Sequence, residues 1–366
     1  MIFSTIKSAV DFYGHIPRYR EIFHILFKYG FADVLRLVAL QKFLKIEDAQ
    51  LPVRKSEILN KPLPERFRLT LEELGPTFVK FGQILSSRRD LITDEYFEQL
   101  QRLQDEVPPF PSKEARKIIE KEMNRPIDEV FSTFQDEPIG CASIAQVHKA
   151  ILKDGTTVAI KVQRPDIEKV IELDMAILID LARFIEKHAP EASALNPVGV
   201  VEEFSHTLMK ELDFNNEAQN VERFAKQFEG NEDIKIPTIY RDISSARVLV
   251  MEFISGTRID DVALLRKKKI DPIDLANRVT TLIYMQIFDY GFFHGDPHPG
   301  NMTVLPGPKI GLYDFGMMGD LSPEFRESIA IMIAGLAEKD HQRTARAIVE
   351  MSDEGIAEDQ QQMLTD

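Results

Sequence analysis

The sequence predicts an α+β fold with a helical N-terminal extension. Three observations carry this. Apolar positions recur at helical spacing through the early part of the chain. From residue 137 the pattern changes to alternation around Asp154-Gly155, a strong hairpin signal. Helical spacing then returns, broken by one apolar run, RVLVMEF at 247–253.

Residues 18–45 give two short amphipathic helices around Gly30. They either pack on the main domain or touch a membrane surface through Lys28, Arg36, Lys42 and Lys45. Residues 46–65 hold three prolines and form a linker. Gly75-Pro76 opens a helix, because Pro is tolerated at the first helical position. Phe78, Val79, Ile84 and Leu85 then face inward, while Lys80 and Gln83 share a face. A helix over about 94–105 stops before PPFP at 108–111, and a charged helix covers 112–123. Strands over 144–151 and 156–163 flank the hairpin. Helices over 166–188 and 197–228 follow, the second carrying KELDFNNEAQN. RVLVMEF is a buried strand, helix 272–290 leads into FFHGDPHPGN, and KIGLYDFG is a strand ending at Asp314. The last fifty residues are helical. The expected division is a helical segment and linker (1–65), an extension with an N-terminal lobe (66–254) and a C-terminal lobe (255–366).

Composition narrows the function. A net charge of −14 and a pI of about 5.2 argue against nucleic-acid binding through broad electrostatics. Cys141 is the single cysteine, so no internal disulfide forms. No apolar window approaches the roughly 18 residues of a spanning helix, and the N-terminus lacks the layout of a signal peptide. A soluble or peripheral protein is expected.

The stretch FFHGDPHPGNMTVLPGPKIGLYDFG, residues 292–316, places two His, two Asp and an Asn between apolar flanks. Phosphoryl transfer from ATP uses such a set. Asp296 orients or deprotonates the acceptor, and Asn301 with Asp314 holds Mg²⁺, a hard cation that prefers oxygen ligands. The other parts of a kinase lie upstream in order. Val158-Ala159-Ile160-Lys161 sits on the second hairpin strand, where Ala159 and Lys161 meet the nucleotide and Lys161 grips its phosphates. Glu217 follows on a helix and can pair with Lys161, and Met251-Glu252-Phe253-Ile254 forms a hinge for adenine. The fold is therefore protein-kinase-like and two-lobed. Three departures stand out. Gly140-Cys141-Ala142-Ser143 replaces the Gly-rich phosphate loop and is stiffer, having one Gly. Gly295 stands where protein kinases have Arg. Ser322-Pro323-Glu324 follows Asp314 by only eight positions, which leaves no long segment to seat a peptide.

With these motifs the sequence resembles the UbiB family of atypical kinases, over roughly residues 18–320. The resemblance rests on Lys80-Phe81-Gly82-Gln83 (KxGQ), on Leu103-Gln104-Asp105 through Pro108-Pro109, and on Ala142-Ser143-Ile144 with Gln146-Val147-His148. Glu211-Leu212-Asp213 (ExD) and HGDPHPGN complete it. The family's small-residue loop is usually AAAS, and Gly140 and Cys141 depart from it. The resemblance implies that the KxGQ helix lies across the active site. There Lys80 meets Glu211 or Asp213 or reaches the phosphates, and Gln83 helps to gate the pocket. It also implies ATP hydrolysis, or transfer to a small or lipid-like acceptor, in support of ubiquinone biosynthesis. The implied partners are the nucleotide, anionic membrane lipid, an isoprenoid or phenolic quinone precursor and other quinone-biosynthesis proteins. The implied location is the cytoplasmic face of the inner membrane, with C-terminal membrane helices expected in the full-length protein.

Two alternatives remain. A small-molecule kinase of the aminoglycoside or choline type shares HxDxxxxN but lacks KxGQ and ExD. A catalytically silent nucleotide-binding scaffold is the other. Among single residues, His294 reads as a buried strut. His298 is either structural or turned to the acceptor, Cys141 fills a tight loop, and Arg266-Lys267-Lys268-Lys269 is a solvated run.

Overall fold

A computed structural model of the chain describes residues 17–31, 56–89, 91–103, 108–188, 196–307 and 309–351. The second helix expected within 18–45, with Arg36, Lys42 and Lys45, lies outside these residues, as do 46–55 of the linker and Gln104-Asp105. The described residues fall into two compact units.

Unit 1 contains Met1–Asp213 and Ser244–Val248. Besides two four-residue turns of helix at Ser56–Leu59 and Ile127–Val130, its first helices are α1 (17–28), α2 (Leu63–Leu74), α3 (Pro76–Ser87), α4 (Asp94–Leu100) and α5 (Ser112–Met123). Strands β1 (Phe131–Phe134), β2 (Gly140–Cys141), β3 (Ala145–Leu152) and β4 (Thr157–Gln163) follow, then α6 (Ile167–His188) and α7 (Pro197–Leu212). The apolar faces of α1–α4 and α6 close one core around Tyr19, Phe23, Leu71, Phe78, Leu100 and Ile177. Polar contacts fix α1 on it. The Arg18 guanidinium donates to buried Asp174 at 2.8 Å and to the Leu74 carbonyl at 2.7 Å. Lys28 pairs with Glu73 at 2.6 Å. For this helix, packing on the domain is the reading the structure supports. The hairpin forms as its sequence dictates: Gly155 takes φ +90°, the Thr156 N–H donates to Asp154 Oδ1 at 2.9 Å, and β3 pairs antiparallel with β4.

The single helix expected over 197–228 is two helices. α7 stops at Leu212, Asp213 is extended (φ −93°, ψ 99°), and α8 (Phe214–Gln227) begins at once. The Gln163 amide donates to the Leu212 carbonyl at 3.0 Å, which satisfies one of the carbonyls a helix end leaves open. No Gly or Pro marks this break. The helix expected over 94–105 is also shorter, ending at Leu100.

Unit 2 contains Phe214–Ile243 and Leu249–Asp366. After α8 come β5 (Ile234–Lys235), β6 (Val248–Glu252, its first residue in unit 1) and β7 (Thr257–Arg258). Helices α9 (Val262–Lys267) and α10 (Pro272–Tyr284) follow, and α10 runs on into a π-helical turn at Met285–Tyr290. Then come β8 (Phe292–His294), β9 (Met302–Val304), β10 (Ile310–Leu312), β11 (Met318–Asp320), α11 (Pro323–Glu338) and α12 (His341–Met351). A sheet runs β5-β10-β9-β7, and β8 pairs with β11 in a separate ribbon. Phe224, Phe228, Phe292, Leu312 and Phe315 lie in the unit's core. Among the described residues no helix is long and apolar enough to cross a membrane.

Candidate phosphoryl-transfer site

In unit 2 the polar stretch 292–316 folds as two loops joined by one histidine. The π-helical turn ends at Gly291 in the left-handed region, φ +74°. The Gln286 side chain then accepts the His294 N–H at 2.9 Å, and the Gln227 amide donates to the Phe292 carbonyl at 2.9 Å. These contacts present β8 and the loop beyond it. His294 is buried, and its Nδ1 accepts the Asp296 N–H at 3.1 Å. Its proton is therefore on Nε2, which donates to the Asp314 carbonyl at 2.7 Å. Burial pushes the imidazole pKa down, so His294 is a neutral strut.

Asn301 is buried, and its Nδ2 donates to the Asp296 carbonyl at 3.2 Å. The β9–β10 register sets Met302 opposite Leu312, and Tyr313 N–H reaches the Asn301 carbonyl at 3.2 Å. This places Asn301 and Asp314 at the same end of one hairpin. Asp314 has φ +80°, a region that disfavours side chains, and its Oδ1 accepts the Gly316 N–H at 3.1 Å. The His298 ring accepts the Gly300 N–H through Nδ1 at 2.9 Å and sets Nε2 3.6 Å from Asp296 Oδ2. Gly295 bonds to the Met317 carbonyl at 2.9 Å, and a Cβ there would sit 3.2 Å from that oxygen. A larger residue would crowd this crossing.

A magnesium ion fits this donor set. With Nδ2 committed, Asn301 offers Oδ1, and Asp314 offers a carboxylate. Among the described residues no group of three His, Cys, Asp or Glu side chains is arranged to hold a metal. An ion here would complete its shell with water and phosphate oxygens, as Mg²⁺ does.

Glu217 lies in the first turn of α8, buried, and its Oε1 accepts the Phe315 N–H at 3.4 Å. Met251 is buried on β6. Burial alone would raise the Glu252 carboxyl. Lys235 at 2.7 Å and Thr238 at 3.2 Å instead hold it below the usual carboxylate range. Ile254 lies beside Gly311, where a Cβ would approach its methyl to 2.9 Å.

Unit 1 holds the remaining predicted residues. Lys161 and Ala159 lie on β4, opposite Val147 and Lys149. In the small-residue loop, Gly140 pairs with Val147 and Cys141 with Gln146. The Ala142 N–H reaches the Ala145 carbonyl at 2.8 Å, and Ser143 is buried. Burial raises the Cys141 thiol pKa, in keeping with a packing role. Arg164 donates to the Ala142 carbonyl at 2.9 Å and to the Pro108 carbonyl at 3.1 Å, so the loop is tied down. Lys80 on α3 pairs with Glu211 on α7 at 3.0 Å, with little of either side chain exposed. Gln83 donates to the Leu103 carbonyl at 3.4 Å, and Asp213 is the extended residue between α7 and α8. Lys161 belongs to unit 1 and Glu217 to unit 2, and their pairing is an expectation of the sequence.

Sequence reasoning missed Asn220, Gln227, Gln286 and Arg164. Each acts on backbone groups, so no motif spacing announces it. For Asn220 and Gln227 the available signal was amide side chains on the same face of α8 as Glu217.

The fold and this loop pair define a kinase-like protein. The chain belongs to the ABC1 atypical kinase-like domain family, which matches residues 102–348. It is similar to "Probable protein kinase UbiB" of Aliivibrio fischeri, 39% identical over 92% of this chain and 63% of that protein. The Marinobacter nauticus protein of the same name is 43% identical over 77% of this chain and 52% of its own length. The chain thus spans between about half and two thirds of these relatives. Among solved structures, Rv3197 of Mycobacterium tuberculosis in complex with erythromycin aligns at TM-score 0.55 and 29% identity. That alignment covers 76% of this chain and 70% of the other.

Proposed function

We propose that this protein is an atypical kinase-like ATPase. It binds Mg²⁺ and ATP and hydrolyses the nucleotide, or passes its γ-phosphoryl group to a small or lipid-like acceptor. The observation that carries the reading is the His294 strut, which joins the Asp296 backbone to the Asp314 carbonyl while Asn301 holds the Asp296 carbonyl. Three residues of the kinase pattern are thereby tied into one network, Asp296 and Asp314 through their backbone and Asn301 through its side chain. Asp296 positions the attacking hydroxyl or water and accepts its proton. Asn301 and Asp314 hold the metal, which would neutralise charge on the phosphates. Lys161 grips the phosphates, with Gly140–Ser143, Ala159 and the hinge at Met251, Glu252 and Ile254 as further nucleotide contacts. Lys80, with Gln83, Glu211 and Asp213, gates access.

A small acceptor is favoured over a protein. The residues after Asp314 return at once into β11, which pairs with β8, and α11 starts at Pro323. The family membership and the relatives' UbiB name support a role in ubiquinone biosynthesis, with a quinone precursor, anionic lipid and other biosynthetic proteins as partners. In this reading the protein works at the cytoplasmic face of the inner membrane.

The test follows the γ-phosphate of labelled ATP with Mg²⁺, with and without anionic vesicles, using Asp314→Asn as control. Label released as phosphate, or moved to an added phenol or lipid, and lost in the variant supports the reading. Binding without any movement of label points to a silent scaffold and overturns it.

A further inference from the structure

We infer that Asn220 is a positioning residue for the metal-holding carboxylate of Asp314, acting through a single peptide plane. This rests on the reading of Asp314 given above. Glu217, Asn220, Phe224 and Gln227 recur at spacings of three, four and three, and so form one face of α8. Every one of them meets the 292–316 stretch. Glu217 takes the Phe315 N–H, and Asn220 Nδ2 donates to the Phe315 carbonyl at 2.9 Å. The Phe224 ring lies 5.3 Å from that of Phe315, and Gln227 holds the Phe292 carbonyl.

The Phe315 carbonyl and the Gly316 N–H belong to one planar, trans peptide, so they point in opposite directions from a rigid unit. Asn220 holds the carbonyl end. The N–H end donates to Asp314 Oδ1 at 3.1 Å. Fixing one end therefore aims the other, and with it the carboxylate. Asp314 needs such support because φ +80° is a strained conformation that persists only when neighbours over-determine it. His294 holds its carbonyl from one side, and α8 holds the following two peptide groups from the other. An amide suits position 220 because it donates without charge. A carboxylate of the same shape would face a carbonyl oxygen.

The test measures Mn²⁺ affinity by electron paramagnetic resonance in the presence of a non-hydrolysable ATP analogue. Wild type is compared with Asn220→Asp and Asn220→Ala, and folding of each is checked by circular dichroism. Because partners that orient metal ligands typically control affinity, Mn²⁺ binding should weaken by about tenfold or more in both variants. Nucleotide affinity in EDTA should not change, which a general loss of structure would not spare. Should the Asp variant misfold, the Ala variant decides. Wild-type Mn²⁺ affinity in a folded variant overturns the inference alone. A wild-type protein that binds nucleotide without recruiting Mn²⁺ overturns the reading of Asp314 and this inference together.

Discussion

Helices α3 and α8 each commit one polar face to contacts within their own unit, but they do so differently. On α3 the contacts run mainly side chain to side chain or by packing, with the long bond from Gln83 to the Leu103 carbonyl as an exception. Lys80 meets the Glu211 carboxylate, and Gly82 lets Leu71, Leu100 and Leu103 approach so closely that a Cβ would come within 2.4 Å of Leu103. On α8 the polar contacts to the 292–316 stretch run from side chain to backbone: Glu217 and Asn220 to Phe315, Gln227 to Phe292. The first arrangement fixes helices against helices. The second fixes loops, whose peptide groups need partners that no helix or sheet ladder supplies.

Substitutions should separate the two. The largest effect is expected on chemistry in unit 2. Asp296→Asn keeps the fold but removes the base, and turnover should fall by about 10²–10⁴-fold with nucleotide binding retained, measured by steady-state phosphate release. Equal loss of binding would place Asp296 elsewhere in the mechanism. Next comes Lys80→Ala. It removes the cation beside a carboxylate that is 6% exposed, and breaking a buried pair from one side costs about 3–5 kcal/mol. Urea unfolding should show this loss, and Lys80→Met with Glu211→Leu should recover most of it. An unchanged midpoint in the single variant would make the pair ornamental to stability. Gly82→Ala overpacks the same helix and should cost about 1–3 kcal/mol.

Acid should weaken both units. Burial depresses the pKa of His148 in unit 1, where it stacks on Phe134, and of His294 in unit 2. A depressed imidazole is neutral in the folded state while the unfolded chain gains protons below about pH 6.5. Stability is therefore full above that pH and falls as pH drops through it towards the lowered folded values. Urea midpoints across about pH 5–8 should slope on the acid side and flatten above. A midpoint that rises on acidification contradicts the assignment. The smallest effect is expected from Gly140→Ala. Nothing lies within 4 Å of the new Cβ, so stability should move by less than about 0.5 kcal/mol.

The sequence was most informative where chemistry imposes residue types in order. That Asp296, Asn301 and Asp314 would lie on neighbouring loops was legible, as was the hairpin carrying Lys161, because the HGDxxxxN and DFG patterns and tight turns restrict both identity and spacing. The break at Asp213 was not, since ELDF contains no breaker and the stop depends on Gln163 reaching the Leu212 carbonyl from a distant strand. Asn220, Gln286 and Arg164 were hidden for a related reason. Their partners are carbonyl and N–H groups that every residue carries, so only the folded chain shows which ones are bound.

The most direct measurement of the account is calorimetric titration of the protein with ADP, with and without Mg²⁺, in wild type and Asp314→Asn. The account predicts tighter binding with Mg²⁺ in wild type and loss of that gain in the variant. Equal affinity with and without the metal in wild type, or an undiminished gain in Asp314→Asn, would contradict it.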